Sequence, residues 1–249
     1  MSEKVAIVLA AGKGTRMKSD LPKVLVEVLG RPMIEYVLDS LGEGGIERTI
    51  VVVGYRAKLV RSALQGSASI EFALQSEQLG TGHAVMACRE LLADHAGAVL
   101  VLAGDQPMTQ AASIKTLMEE FDRDTSACIL GTAHKEDPGQ LGRIVRDHQG
   151  RFTGIVEYKD ATAAQRRITE VNMSYYVFRW GDLLPVLDRI RADNSQGEYY
   201  ITDAPGLMLA EGKRVRALDV LQPCESLSIN TVEELALVED AMTEGGVRG

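Results

Sequence analysis

VAIVLAAGKGTRM, Val5 to Met17, is the stretch whose reading decides the fold. Aliphatic and β-branched residues, Val5, Ile7, Val8 and Leu9, run into Ala10-Ala11-Gly12. Four cations then arrive within eleven residues: Lys13, Arg16, Lys18 and, behind Leu21-Pro22, Lys23. The pattern predicts a buried strand ending in a tight turn. Without side chains at Gly12 and Gly14 the backbone can approach a ligand closely and turn its N–H groups inward, while the cations neutralise charge that amides alone could not. The stretch is a cradle for an anion, and a nucleotide phosphate is the candidate. Gly12-Lys13-Gly14-Thr15 fits neither GxGxxG nor GxxxxGK[ST], which disfavours a redox dinucleotide and the common ATPase loop. A bare strand-to-helix turn with a solvated basic flank is the competing account. Four cations beside one glycine turn speak against it, because the chain's net charge is −8.

Outward from this turn, strand-like and helix-like runs alternate. Val5–Ala10, Thr49–Val53, Ile70–Leu74, Ala98–Leu102 and Ala127–Gly131 read as strands. Met33–Leu41, Ala57–Leu64, His83–Leu92 and Ala112–Phe121 read as helices. Unbroken apolar strands such as Thr49–Val53 are buried on both faces, as parallel strands under two helical layers are. The fold class is α/β, a doubly wound, mostly parallel sheet, whose ligands sit beyond the carboxyl ends of the strands. Past about residue 130 the rhythm changes. Arg143–Asp147 and Arg151–Tyr158 flank His148-Gln149-Gly150 as a hairpin, and Glu170–Phe178 is a further strand, so a smaller antiparallel lobe is expected. Helices follow at Asp182–Arg191 and Asp203–Ala210, and Thr231-Val232-Glu233-Glu234 opens a last one with a capping box. The tail, Gly245–Gly249, is expected to be mobile.

With 249 residues, 45% of them hydrophobic, the chain can bury a full core. Its acidic balance argues against a nucleic-acid surface, no apolar run is long enough to span a bilayer, and a cytoplasmic protein is expected. Cys88, Cys128 and Cys224 are odd in number and lack CxxC spacing, so neither a disulfide framework nor a thiolate zinc site is expected.

Three further places could carry chemistry. Gly104-Asp105 follows a buried strand, so the Asp105 carboxylate falls in the same crevice as the glycine turn. It could ligate Mg²⁺, which needs few protein oxygens, or cap the turn at Gln106-Pro107. Gln75-Ser76-Glu77-Gln78-Leu79-Gly80-Thr81-Gly82-His83 sets amides and glycines between a strand and a helix. It suits the edge of a base, or else it is a helix start with Thr81 as the cap. Glu157, Asn172 and Asn230 are polar residues at the ends of apolar runs, weak signals taken singly.

Together the motifs resemble the sugar nucleotidyltransferases, and among them the uridyltransferase domain of the bacterial bifunctional enzyme that makes UDP-N-acetylglucosamine. The resemblance runs from about Val5 to Asn230. It is carried by LAAGKGTRM with LPKVL, QSEQLGTGHAV at Gln75–Val85, Gly104-Asp105, LGRIVRD at Leu141–Asp147, GIVEYKDAT at Gly154–Thr162, EVN at Glu170–Asn172 and QGEYYITD at Gln196–Asp203. It implies a single nucleotidyltransferase domain: nucleotide-binding to about residue 130, sugar-binding over about 131–230, then a C-terminal helix and tail.

It implies that Leu9, Ala10, Ala11, Gly12 and Gly14 hold the nucleotide, with Gln75, Gln78, Gly80, Thr81 and Gly104 on the same side. Arg16 and Lys23 meet the triphosphate, and Arg16, Lys23 and Asp105 form the catalytic set. Asp105 and Asn230 are the Mg²⁺ ligands, and Gly142, Glu157 and Asn172 surround the sugar. The implied reaction joins UTP and N-acetylglucosamine 1-phosphate with release of pyrophosphate. The alternatives are another sugar 1-phosphate or nucleotide, or a non-catalytic nucleotide-sugar binding module. Three departures fall at the sugar side and the metal site. Met173-Ser174 follows Asn172 where the family commonly has Thr-Gly, Leu141 stands for a tyrosine, and Thr231 stands for a second asparagine. No acetyltransferase β-helix is present, so trimerisation by that route is not expected.

Overall fold

The structure is a computed structural model and describes residues 3–14, 20–66, 69–227, 229 and 231–244. β1 (Val5–Ala10) forms as read and splits its side chains between two cores, Val5 and Ile7 facing one, Ala6, Val8 and Ala10 the other. A tight hairpin of β2 (Glu27–Val28) and β3 (Arg31–Pro32) leads into α1 (Met33–Glu43). There follow β4 (Arg48–Val53), α2 (Ala57–Ala63), β5 (Ile70–Leu74), α3 (Thr81–Met86), β6 (Ala98–Ala103), α4 (Ala111–Asp122) and β7 (Cys128–His134). The second half holds β8 (Arg143–Arg146), β9 (Phe152–Val156), β10 (Glu170–Arg179), α5 (Trp180–Leu187), α6 (Ala204–Ala210), β11 (Val215–Asp219) and α7 (Val232–Glu244).

The main sheet runs β11-β7-β10-β6-β1-β4-β5, with β8 joined to β10 and β9 to β8. β1 lies parallel between β4 and β6, Val5 opposite both Arg48 and Val99. The chain leaves β1 toward β4 on one side and returns through β6 on the other, so the strand order reverses there. A crevice opens at such a reversal, beyond the carboxyl ends of the strands. The expected parallel sheet is present, and β10 is driven antiparallel between β6 and β7. One apolar core lies on each face of the sheet, and a third cluster (Val28, Met33, Tyr36, Met108, Ile229, Val238, Met242) seats α7. The capping box forms: Thr231 Oγ1 accepts Glu234 N–H (3.2 Å) and Glu234 Oε2 accepts Thr231 N–H (3.1 Å).

Several boundaries differ from the reading, each for a local reason. α3 starts two residues earlier than His83, because Gly80 at φ 108° turns the chain sharply into it, and gives way after Met86 to tight turns such as Cys88 N–H to Val85 O. α5 begins at Trp180, whose ring is fully buried and whose backbone N–H is taken by Gly97 O. β11 was not legible: Val215 and Ala217 alternate with Arg216 and Leu218 over only five residues. Nor was the β2–β3 hairpin, whose Leu29 (φ 50°) and Gly30 (φ 80°) both adopt positive φ, a conformation that leucine disfavours. Cys88 and Cys128 are buried free thiols and Cys224 a partly exposed one. No helix among the described residues is long and apolar enough to cross a membrane.

Candidate active site

A cavity of about 430 Å³ opens where the strand order reverses, lined by the ends of β1 and β6, the loop after β5, the middle of β10 and the segment 196–202. Its floor is the glycine turn: Leu9, Ala10, Ala11 and Gly12 all line it. The loops after β1, β4 and β5 are fitted to one another. A β-carbon on Gly54 would stand 2.7 Å from Gln78 Nε2 and 2.9 Å from Ala11 Cβ, and Ala11 O accepts Tyr55 N–H (3.0 Å).

Gln75, Gln78, Gly80 and Thr81 form one wall. Gln75 is almost fully buried, and its Nε2 donates to Gly80 O (3.0 Å), folding the loop back on itself. Gln78 Nε2 donates to Gln75 O (3.2 Å). Thr81 is not the cap of α3; Gly80 holds that position, and Thr81 Oγ1 accepts Ile201 N–H (3.0 Å). Two backbone bonds continue this seam, Tyr199 N–H to Leu79 O (2.8 Å) and Gly82 N–H to Tyr199 O (2.7 Å).

Lys23 and Asp105 meet in the middle of the cavity as an ion pair, Nζ on Oδ2, with the lysine the more enclosed of the two. Pro22, extended at ψ 136°, sets the short turn over Lys23–Leu25, and Gly14 seats the lysine: at φ 65°, a β-carbon there would lie 2.7 Å from Lys23 Cβ. Asp105 caps no helix, since α4 begins beyond Gln110. Gly104 joins the ends of β6 and β1 through its N–H to Leu9 O (3.0 Å), and a β-carbon would come within 3.0 Å of Val8 Cγ1. Gly14 and Gly104 thus shape the site from behind without lining it. Arg16, Lys18 and Asn230 lie outside the described residues.

The opposite wall is polar. Glu157 lines the cavity, and burial pushes its carboxyl above the usual glutamate range; the Thr202 hydroxyl opposes this and Asp160 and Asp203 add to it. Gly142, Glu157 and Asn172 are brought together: a β-carbon on Gly142 would touch Asn172 Cβ at 3.4 Å and Glu157 Oε1 at 3.6 Å, and Asn172 N–H donates to Gly142 O (2.9 Å). Asn172 stands one layer back, its Oδ1 accepting the buried Tyr176 hydroxyl (2.9 Å), and Tyr176 lines the cavity. Arg143, 2% exposed, fixes this corner by donating to the carbonyls of Leu141, Gly139 (2.9 Å) and Arg166 (3.3 Å) and lying over the Tyr158 ring. Glu170 of the EVN motif is structural, paired with Arg146 at 2.6 Å.

Gln196, Glu198, Tyr200 and Thr202 also line the cavity, although none was singled out from the sequence. Their only signal was the motif QGEYYITD. Gln196 accepts Lys159 Nζ (2.5 Å) and donates to the Tyr200 hydroxyl (2.7 Å). Among the described residues no three acidic, histidine or cysteine side chains gather as a metal cage. A divalent ion that takes one or two carboxylate oxygens and completes its shell with water and phosphate needs no such cage, and the cavity-facing Asp105 fits it.

A glycine turn, a charge pair and a polar wall are set where a doubly wound sheet reverses, the crevice in which such sheets take a ligand. The chain belongs to the family of the MobA-like NTP transferase domain, which matches residues 6–198. Among curated relatives it is 41% identical over 242 residues to the bifunctional protein GlmU of Shouchella clausii, covering 97% of this chain and 53% of that protein. It is 44% identical over 237 residues to that of Streptococcus gordonii, covering 95% and 51%. The chain thus spans about half the length of the curated relatives it matches. A crystal structure of UDP-glucose pyrophosphorylase complexed with UDP-glucose superposes with a TM-score of 0.77 over 98% of this chain and 100% of that one, at 17% identity, which shows a shared fold.

Proposed function

We propose that the chain transfers a uridylyl group from UTP to N-acetylglucosamine 1-phosphate, releasing pyrophosphate, with Mg²⁺ as the cofactor. The observation that carries the reading is the cavity's division into a backbone-lined wall from β1 and the Gln75–Thr81 loop, a central Lys23–Asp105 pair, and a polar wall around Glu157. The 41–44% identity to bifunctional GlmU proteins supports the choice of nucleotide and sugar.

In this reading the backbone of Leu9–Gly12 and the amides of Gln75 and Gln78 hold the nucleoside, and Lys23, with Arg16, holds the phosphates. A phosphate oxygen of the sugar 1-phosphate attacks the α-phosphorus of UTP. The bond from that phosphorus to the bridging oxygen breaks, and pyrophosphate leaves with the electron pair. No protein nucleophile takes part, so the residues contribute alignment and charge stabilisation. Asp105, together with Asn230, would hold Mg²⁺, which when bound offsets phosphate charge. Glu157, backed by Gly142 and Asn172, would accept sugar hydroxyls and so select the acceptor.

Pyrophosphate release tests the reading, with UTP and a panel of N-acetylglucosamine, glucosamine and glucose 1-phosphates. Release fastest with N-acetylglucosamine 1-phosphate, and abolished by chelating divalent metal, is expected. A preference for glucose 1-phosphate, or turnover that survives chelation, refutes it.

A further inference from the structure

β10 leaves regular pairing between Asn172, opposite Thr132, and Tyr175, opposite Gly131, so Met173 and Ser174 form a bulge. Ser174 adopts φ +60°. Two other non-glycine residues among those described have positive φ, Leu29 and Arg56, and neither lines the cavity; Ser174 does. A residue with a β-carbon resists this conformation and keeps it only where its surroundings enforce it, which happens most often at functional sites.

The enforcement is visible on both sides. Ser174 N–H donates to Asn172 Oδ1 (3.2 Å), Met173 O accepts Gln106 Nε2 (3.1 Å), and the Met173 side chain is 1% exposed in the core. With Met173 pinned inward, the left-handed turn keeps Ser174 on the face shared by Asn172 and Tyr176. Two residues on, Tyr176 pairs with Val101 of β6, and β6 ends at Ala103, itself a lining residue, just before Asp105. The serine therefore stands where the polar wall adjoins the strand that carries the charge pair.

We propose that Ser174 is a specificity-determining residue whose hydroxyl hydrogen-bonds the acceptor sugar 1-phosphate, and that the left-handed bulge serves to hold it there. The proposal rests on the assignment of the cavity to UTP and a sugar 1-phosphate.

Steady-state kinetics and thermal melting of the wild type, Ser174→Ala and Ser174→Gly test it. Both variants should raise KM for the sugar 1-phosphate about two- to tenfold, the loss of one hydrogen bond, while KM for UTP stays within twofold. Only the glycine variant, freed of left-handed strain, should melt higher, by about 2–4 °C. A Ser174→Ala enzyme whose sugar KM lies within twofold of wild type, or whose UTP KM rises equally, overturns the proposal. A glycine variant that melts no higher overturns the claim that the bulge is held under strain. A wild type that releases no pyrophosphate with any of the three sugar phosphates removes the substrate assignment itself, a result distinct from an active wild type with indifferent variants.

Discussion

Gly80→Ala probes how the two walls of the cavity are joined. Gly80 sits at φ 108° and ψ 176°, a region occupied almost only by glycine, and its β-carbon would lie 2.6 Å from Tyr199 O and 2.9 Å from Tyr199 N. Those are backbone atoms that cannot swing aside. The conformational cost alone is about 1–3 kcal/mol. Moving Tyr199 away also strains two backbone bonds, to Leu79 O and from Gly82 N–H, worth about 1 kcal/mol each net. The sum, about 3–5 kcal/mol, should lower Tm by about 6–20 °C for a chain of this size. Because Tyr200 and Thr202 follow Tyr199 directly, KM should rise for both UTP and the sugar phosphate. Differential scanning calorimetry and steady-state kinetics read the two effects. Gly181→Ala is the control: it lies in α5 with no atom within 4 Å of its β-carbon, and should stabilise by about 0.5–1 kcal/mol. If Gly80→Ala melts within 1 °C of wild type with unchanged KM values, the seam does not organise the site.

Asp105→Asn should lower kcat about a hundredfold and also lower Tm, since the carboxylate faces the cavity and its ion pair with the partly buried Lys23 is lost; undiminished turnover refutes its role at the metal. Lys23→Ala, and Arg16→Ala beside it, should depress kcat more than they raise KM for UTP, because charge on the departing pyrophosphate grows in the transition state; a change in KM alone would make either cation a docking contact. Glu157→Gln should reduce kcat/KM for the sugar phosphate by about 1–3 kcal/mol with UTP binding unaltered. It should also change the pH dependence of stability. With its folded pKa raised, Glu157 favours folding below the ordinary glutamate value of about 4.3 and loses that contribution as pH rises through the folded value, so the glutamine variant should gain on wild type in melts as pH is raised from that ordinary value. A flat difference refutes the burial argument.

The turn after β1 and the end of β6 were legible because their signals are local. An apolar run that stops at Gly12, and Asp105 after a buried strand, are read directly from the order of residues. The polar wall was not, because Glu157, Tyr176 and Tyr200 come from three separate segments and meet only through the antiparallel insertion of β10. Gly142 entered only through motif resemblance and Asn172 as a weak signal at the end of an apolar run, and their physical role, a carbonyl and an amide that brace the wall from behind, depends on a register that no single stretch of sequence displays. Gly80 was read as leaving room for a base, and its closest constraint is the backbone of Tyr199, more than a hundred residues away.

That long-range constraint says why one substitution should disturb both substrates. The segment 199–202 is bound to the Gln75–Gly82 wall by main-chain bonds at Leu79 and Gly82 and by the Thr81 hydroxyl, while its Tyr200 and Thr202 side chains face the cavity and Thr202 reaches Glu157. Main-chain bonds fix position without regard to side-chain identity, so the seam can stay constant while the residues it presents are exchanged. The charge pair works differently. Lys23 and Asp105 neutralise each other in the ligand-free cavity, where a lone partly buried charge would be costly, and each can trade its partner for a phosphate or a cation of like sign. In the proposed reading, specificity falls to the wall of Glu157, Ser174 and Tyr200 and reactivity to the Lys23–Asp105 pair, two regions that substitution can separate.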